Sequence, residues 1–278
     1  MSLMLKLLTI TFLLNSALFA VSTSTEVENF LKKSFSSNRN IDSLKIKVVD
    51  KIEVSKLKGW DAYVVNVDAT LKAGAKKRHV KQNMVWFSNG SLITQDLIDI
   101  KTGVSVKDLI APQFKQEHYK KHNLISGDEN STYKVAIFSD PLCPFCRNFV
   151  PGAIREMAKQ PKKFALYYYH LPLSAIHPAS VTLVKAAIVA ELHGYKDVIL
   201  KMYDIDLDPH QRDTNKILAT FNKLMKTNIT QKDLDSPQVT KYYKSDMKVV
   251  DELMVQGTPT MYFNGRIDKT KRKYKEVK

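Results

Sequence analysis

The chain has 278 residues, 44% hydrophobic and 26% charged, with a formal net charge of +15 and two cysteines. That length carries two modest domains with a core in each, and the balance is that of a soluble globular protein. The excess lysines are scattered, without the dense basic stripe and interleaved aromatics of nucleic-acid binders, so no nucleic-acid partner is expected.

Residues 1–20 read as a secretory signal peptide. Lys6 supplies the positive start, and Leu7 to Ala20 is an apolar run of 14 residues, too short for a comfortable membrane span. Leu18 and Ala20 offer the –3 and –1 positions of a cleavage site, with an uncleaved anchor as the alternative. Export would put the cysteines where disulfides are made rather than reduced.

A small α+β domain is expected next. Glu26 to Ser36 has helical spacing, with Val27, Phe30 and Leu31 on one face. Leu44, Ile46 and Val48 alternate with lysines, and Tyr63, Val65, Val67, Ala69 and Leu71 alternate with polar residues, as in a half-buried antiparallel sheet. Val80 to Phe87 and Leu92 to Ile100 flank Asn89-Gly90, which predicts a hairpin with a type I′ turn. The domain reads equally as a self-association module or as an N-terminal cap. Residues 104–130, broken by Pro112 and ending in polar 126–130, read as a semi-rigid linker.

The buried run Val135 to Phe138 predicts a strand leading into Cys143-Pro144-Phe145-Cys146, which opens a helix running to about Gln160 with Pro151 inside it. Phe164 to His170 predicts a second strand, in which Tyr167, Tyr168 and Tyr169 are strand residues. A helical stretch opens at Ile176 to Ser180, another spans Thr214 to Thr227, and a third starts at Ser236-Pro237 and carries Val239 to Met254. Thr258-Pro259 then leads a short strand ending at a second Asn-Gly pair, Asn264-Gly265.

A Cys-x-x-Cys pair at a strand-to-helix junction is a redox device. The helix N-terminus leaves backbone N–H groups unpaired, and its field favours a thiolate, the nucleophile in disulfide exchange. Cys143 is expected to attack and Cys146 to resolve the mixed disulfide. Half of a zinc site is the bland alternative, but there is no second cysteine pair. A purely structural disulfide is the other, but so short a loop removes little chain entropy. Asp140 reads either as an acid near the site or as a turn cap. His170 and His177 are weighed for proton transfer to Cys146 against a packing role. Phe145 cannot assist a thiolate electrostatically, so a reduction potential between roughly −270 and −120 mV is expected.

The order strand, Cys-Pro-Phe-Cys helix, strand, helical insert, Gly257-Thr258-Pro259 strand resembles the thioredoxin fold. More narrowly, Phe138 to Pro141, Leu173 to Ser180 with its His-Pro pair, and Val255 to Pro259 resemble the periplasmic DsbC/DsbG thiol:disulfide interchange proteins. Trp60 to Tyr63, Phe87 to Gly90 and Asp96 to Gly103 resemble that family's cystatin-like dimerisation domain. The resemblance implies an α+β protein: signal peptide 1–20, cystatin-like domain 21–103, linker 104–130, and thioredoxin-like catalytic domain 131–278 with a helical insert at about 177–256. It implies a redox-active Cys143–Cys146 disulfide and a cis Pro259 facing it. The Thr258 backbone is then open to a substrate strand, and Asp140, Pro144 and Phe145 are neighbours of the site. Two departures stand out: Met254 where relatives often have glycine, and a tail so short that the closing strand and helix are expected to be abbreviated or absent.

The expected function is a periplasmic thiol:disulfide oxidoreductase that forms or rearranges disulfides in exported proteins as a homodimer, with no cofactor and no metal. Its expected partners are unfolded or misoxidised exported proteins and a membrane oxidase or reductase. The alternatives are a DsbA-like oxidase on the dimeric scaffold, a holdase chaperone with secondary redox activity and, more distantly, a periplasmic metal chaperone.

Overall fold

The computed structural model describes residues 22–73 and 76–277, so the expected signal peptide lies outside the described residues. The described residues divide into two compact units, with the boundary between Ile110 and Ala111. Among the described residues no helix is long and apolar enough to cross a membrane.

In the first unit, helix α1 (Ser24–Ser36) begins with a capping box. The Thr23 hydroxyl accepts from the Glu26 N–H at 3.2 Å, and the Glu26 carboxylate accepts from the Thr23 N–H at 2.6 Å. The helix buries Val27 and Leu31 against Tyr63, Val65 and Val67. Those three lie on β2 (Asp61–Ala73), which pairs antiparallel with β1 (Ile41–Glu53) and β3 (Lys76–Ser88). The short β4 (Ile93–Thr94) completes a sheet of order β1-β2-β3-β4. The alternation read in the sequence becomes register: Ile46 faces Val67, Val65 faces Met84, and Tyr63 faces Trp86.

The expected type I′ turn at Asn89-Gly90 is not formed. Only Gly90 has a positive φ (93°), and the loop holds four residues between Ser88 and Ile93. The Asn89 side chain closes it instead, accepting from the Ser91 and Leu92 N–H groups at 3.1 and 2.8 Å. Of the expected strand 92–100, only β4 forms. Helix α2 (Val106–Ile110) ends the unit.

The linker reading of 104–130 does not hold. Residues from 111 onward belong to the second unit, where Phe114 is buried among Phe138, Tyr169 and Tyr262 at ring separations of 5.5–6.1 Å. Residues 124–126 form β5 (Leu124–Ser126), an edge strand of the second sheet. Local composition marked the segment as a connection; long-range aromatic packing makes it part of the domain.

That sheet has five strands in the order β5-β7-β6-β8-β9. At its centre β6 (Tyr133–Ser139) runs parallel to β7 (Phe164–His170), and helix α3 (Pro144–Ala158) makes the crossover. Pro151 lies inside α3, as expected. The insert follows: α4 (Ala179–Leu192), α5 (Val198–Met202), α6 (Thr214–Met225), α7 (Gln231–Leu234) and α8 (Pro237–Glu252). The chain returns through β8 (Thr260–Phe263), antiparallel to β6, and closes with β9 (Arg266–Ile267) and the one-turn helix α9 (Lys273–Glu276). The closing strand and helix are thus abbreviated rather than absent. Here the Asn-Gly turn takes the form expected of the first: Asn264 and Gly265 both have positive φ, 45° and 80°, between Phe263 and Arg266, which pair.

Strand parity sorts the core. Val135, Ile137, Leu166 and Tyr168 face α3 and most of the insert, while Ala136, Phe138, Tyr167 and Tyr169 face Phe114 and α8. Helix α8 stops before Met254, which takes a left-handed φ of 52°. That conformation explains why a glycine suits this position.

Candidate active site

Strand β6 delivers Ser139 and Asp140 to the parallel end of the sheet, where the chain turns into α3. Asp140 is fully buried, and its carboxylate holds the turn together. Oδ1 accepts from the Leu142 N–H at 2.8 Å and the Ser180 hydroxyl at 2.7 Å; Oδ2 accepts from the Leu173 N–H at 2.8 Å and lies 2.9 Å from His177 Nδ1. One carboxylate therefore ties the cysteine loop to the start of α4. Of the two sequence readings, the geometry favours the turn cap, widened into a tertiary clamp. His177 is absorbed by this clamp. The His170 ring Nε2 lies 4.0 Å from the Glu191 carboxylate, and the His170 backbone N–H donates to Asp246 at 3.0 Å. Neither histidine hydrogen-bonds a cysteine.

Cys143 is the N-cap of α3, and Pro144 occupies the first turn, where its missing N–H costs nothing. The turn is braced by Arg147, whose side chain donates to the carbonyls of Pro141 and Ile205, each at 2.9 Å. Phe145 stands out of the helix at 77% exposure. Both cysteines are unlinked, so the expected Cys143–Cys146 disulfide is not formed here. They differ in burial: Cys143 retains 4% exposure and Cys146 none.

The Thr258–Pro259 bond is cis, and the Thr258 carbonyl lies 3.8 Å from the Cys143 sulfur. Thr258, Pro259 and Phe145 line one groove of about 540 Å³. The sequence-predicted residues Cys143, Cys146, Thr258, Pro259, Pro144, Phe145 and Asp140 are therefore gathered in one place.

Burial pushes the Cys146 thiol up to about 11, against the opposing pull of Ser139, Thr258 and the Asp140 backbone. The Ser139 hydroxyl lies 2.6 Å from that of Tyr203, which lies 2.8 Å from that of Tyr168. Burial raises both tyrosines far above their ordinary range, so they remain neutral hydroxyls. Sequence reading missed this chain. Ser139, a polar residue ending an apolar strand, was the available signal; Tyr203 lies in the insert and gave none. Among the described residues no group of three or more His, Cys, Asp or Glu could hold a metal.

A family profile described as Thioredoxin matches residues 120–278, more than half of the chain. The chain belongs to the thioredoxin family. With its Cys-Pro-Phe-Cys pair it is a thiol–disulfide oxidoreductase of that family. It is 28% identical over 153 residues to a Bacillus cereus protein named "Probable disulfide bond formation protein D", covering 51% of this chain and 69% of that one. A Bacillus anthracis protein of the same name is 27% identical over the same length and shares. The solved structure of the thiol-disulfide exchange protein α-DsbA2 from Wolbachia pipientis matches with a TM-score of 0.44 and 18% identity, over 55% of this chain and 82% of that one, a likeness too distant to bear on function. The narrower likeness to DsbC/DsbG rests on the sequence motifs alone.

Proposed function

We propose that the protein exchanges disulfides in exported proteins of the periplasm, with Cys143 as attacking and Cys146 as resolving thiol. The observation that carries this is the placement of Cys143: at a helix N-cap, under the Thr258 carbonyl, beside an open groove, with Cys146 sealed behind it. An extended client segment would dock by pairing with the Thr258 backbone. Cys143 thiolate attacks one sulfur of a client disulfide; the S–S bond breaks, a mixed disulfide forms, and a client thiolate leaves. Cys146 then loses its proton and attacks the Cys143 sulfur. The Cys143–Cys146 disulfide forms, and the second client thiolate leaves and takes a proton. Run backwards, the same steps oxidise the client.

We assign the N-terminal unit the role of a cystatin-like dimerisation domain, as in DsbC/DsbG. Leu92, Ile98, Ile100 and Val104 are exposed on it, Ile100 at 96%, and so large an exposed apolar set suits a self-association surface. The dimeric reading leans toward isomerisation, with a membrane reductase keeping the pair reduced. The name shared by the Bacillus relatives favours the oxidising direction, with a membrane oxidase as partner. Alkylation and gel shift of the protein in the cell separates them: a mostly oxidised pair marks a disulfide donor, a mostly reduced pair an isomerase or reductase. A Cys143→Ser variant that still alters the disulfides of cysteine-containing clients would overturn the reading; one that merely suppresses aggregation of thiol-free clients would expose a holdase activity.

A further inference from the structure

The groove beside Cys143 has an aromatic side and a basic side. Phe145 and Phe149 of α3 form the first; Lys271, Arg272 and Lys275 form the second, and none of the lining residues is acidic. The basic side is held in place. Asp268, at 1% exposure, accepts from the Thr270 hydroxyl at 2.7 Å and from the Lys271 and Lys273 N–H groups, each at 3.0 Å. Lys271 takes a left-handed φ of 54° within this loop, and Tyr274 is buried behind it. A buried carboxylate thus spends its hydrogen bonds holding up a segment whose outward side chains are cations.

The three cations are not equivalent. Lys275 is answered by Glu156 at 3.3 Å. The Lys271 ammonium meets only the Lys269 carbonyl, at 3.5 Å, and Arg272 is exposed; neither is paired with a carboxylate among the described residues. Two uncompensated positive charges therefore overlook the groove that also contains Thr258 and Pro259, the wall against which Cys143 sits. A guanidinium and an ammonium carried on a held segment beside an aromatic trough complement a peptide that carries carboxylates beside its apolar contact residues.

We propose that this groove selects client segments whose reacting cysteine is flanked by aspartate or glutamate, with Lys271 and Arg272 as the specificity-determining residues. The proposal rests on the exchange reading above and adds the substrate class. The occupant is an extended polypeptide, because the groove is continuous with the Thr258–Pro259 edge. The charges act mainly on encounter and docking, so they alter the rate with which a client reaches Cys143 rather than the chemistry at sulfur.

The test uses the full chain in its reduced form and three peptide disulfides. These are homodimers of one short sequence whose single cysteine is flanked by two aspartates, two serines or two lysines. Each turnover reduces one peptide disulfide to two thiols and oxidises the Cys143–Cys146 pair. Acid quench and mass spectrometry give the rates. Bis(2-hydroxyethyl) disulfide, which is linear and uncharged, is run alongside. At about 0.01 M salt the aspartate peptide should react about tenfold faster than the lysine peptide, a modest value within the range of electrostatic steering. The preference should collapse at about 1 M salt, where the screening length is about 3 Å. A Lys271→Asn, Arg272→Gln double variant should bring the aspartate-to-lysine rate ratio close to one; using a ratio cancels any general change in reactivity. Exchange with the hydroxyethyl disulfide but equal peptide rates would overturn the substrate proposal and leave the exchange reading standing. No exchange with any of the four would overturn the exchange reading itself. If the double variant does not fold, the salt dependence of the unmodified protein decides alone: a ratio unchanged by salt refutes the role of these charges.

Discussion

Resolution of a mixed disulfide on Cys143 should quicken about tenfold per pH unit from pH 6 toward pH 10, because it needs the Cys146 thiolate. Burial raises that thiol from its ordinary 9.0 to about 11. At pH 7 the reactive fraction is then about 10⁻⁴ instead of about 10⁻², a difference of about 3 kcal/mol. A more basic thiolate is a better nucleophile; with a Brønsted slope near 0.4–0.5, two units return nearly tenfold. The net result is resolution about tenfold slower than an exposed cysteine would give at neutral pH. In the mixed disulfide Cys143 carries no charge, but its repulsion is the last of the causes acting on Cys146, so most of the shift remains. The perturbation is Ser139→Ala, which removes the first of the groups pulling the thiol down. Losing one hydrogen bond to the charged form, about 2 kcal/mol, should cut the thiolate fraction about 30-fold; with a Brønsted return of about fivefold, neutral-pH resolution should slow about sixfold. The assay mixes reduced protein with a peptide disulfide, quenches with acid at intervals and follows decay of the mixed-disulfide mass from pH 6 to 10. A rate that levels off below pH 8, or a Ser139→Ala profile that overlays the unmodified one, would refute the reasoning.

Asp140→Ala strips a fully buried carboxylate from three donors and the His177 ring, and should cost about 4 kcal/mol, comparable to breaking a buried pair. In urea the midpoint of the second unit should fall by roughly 2 M, taking a slope of about 2 kcal/mol/M; a shift under about 0.5 M would show that the clamp carries little. Asp246, buried in α8, has its carboxyl pushed by burial from 3.8 up to about 6, opposed by His170 and Asn123. A raised carboxyl binds more protons in the folded state. Its stabilising contribution is full below about pH 4 and is lost as pH rises through 6, about 3 kcal/mol in all. Unfolding free energies of the unmodified protein and Asp246→Asn, measured across pH 4 to 7, should therefore diverge by that amount; parallel curves would contradict the shift. Met254→Gly relieves a left-handed φ of 52° and should raise the thermal midpoint, by up to about 1 kcal/mol of stability; a lowered midpoint would mean that the Met254 side chain's packing outweighs the backbone gain.

Much of the site was legible because its residues lie in two short, ordered strings. Cys143 to Cys146 follows a strand of four apolar residues, and Thr258-Pro259 precedes a β-branched and aromatic one; each string carries its own local geometry. Helix caps were equally local: Ser236 accepts from Val239 as its spacing implies. The two Asn-Gly pairs show where such reading stops. Both have the same turn chemistry, yet only Asn264-Gly265 joins strands in direct register, so only there is the tight turn required. At Asn89-Gly90 the strands pair two residues further out, and the asparagine side chain fills the difference.

Periodicity, the cysteine pair and the Thr-Pro dipeptide are properties of neighbours along the chain, and the sequence by itself determined the strand faces, the redox pair and the family. Tertiary structure alone decided what approaches those residues from afar. Phe114 turns an apparent linker into core, Asp140 joins the cysteine loop to α4 across 40 residues through Ser180, and Tyr203 comes from the insert to meet Ser139 across 64. A buried hydroxyl or carboxylate must find a partner wherever the fold supplies one, and nothing in the order of residues along the chain says which partner that will be.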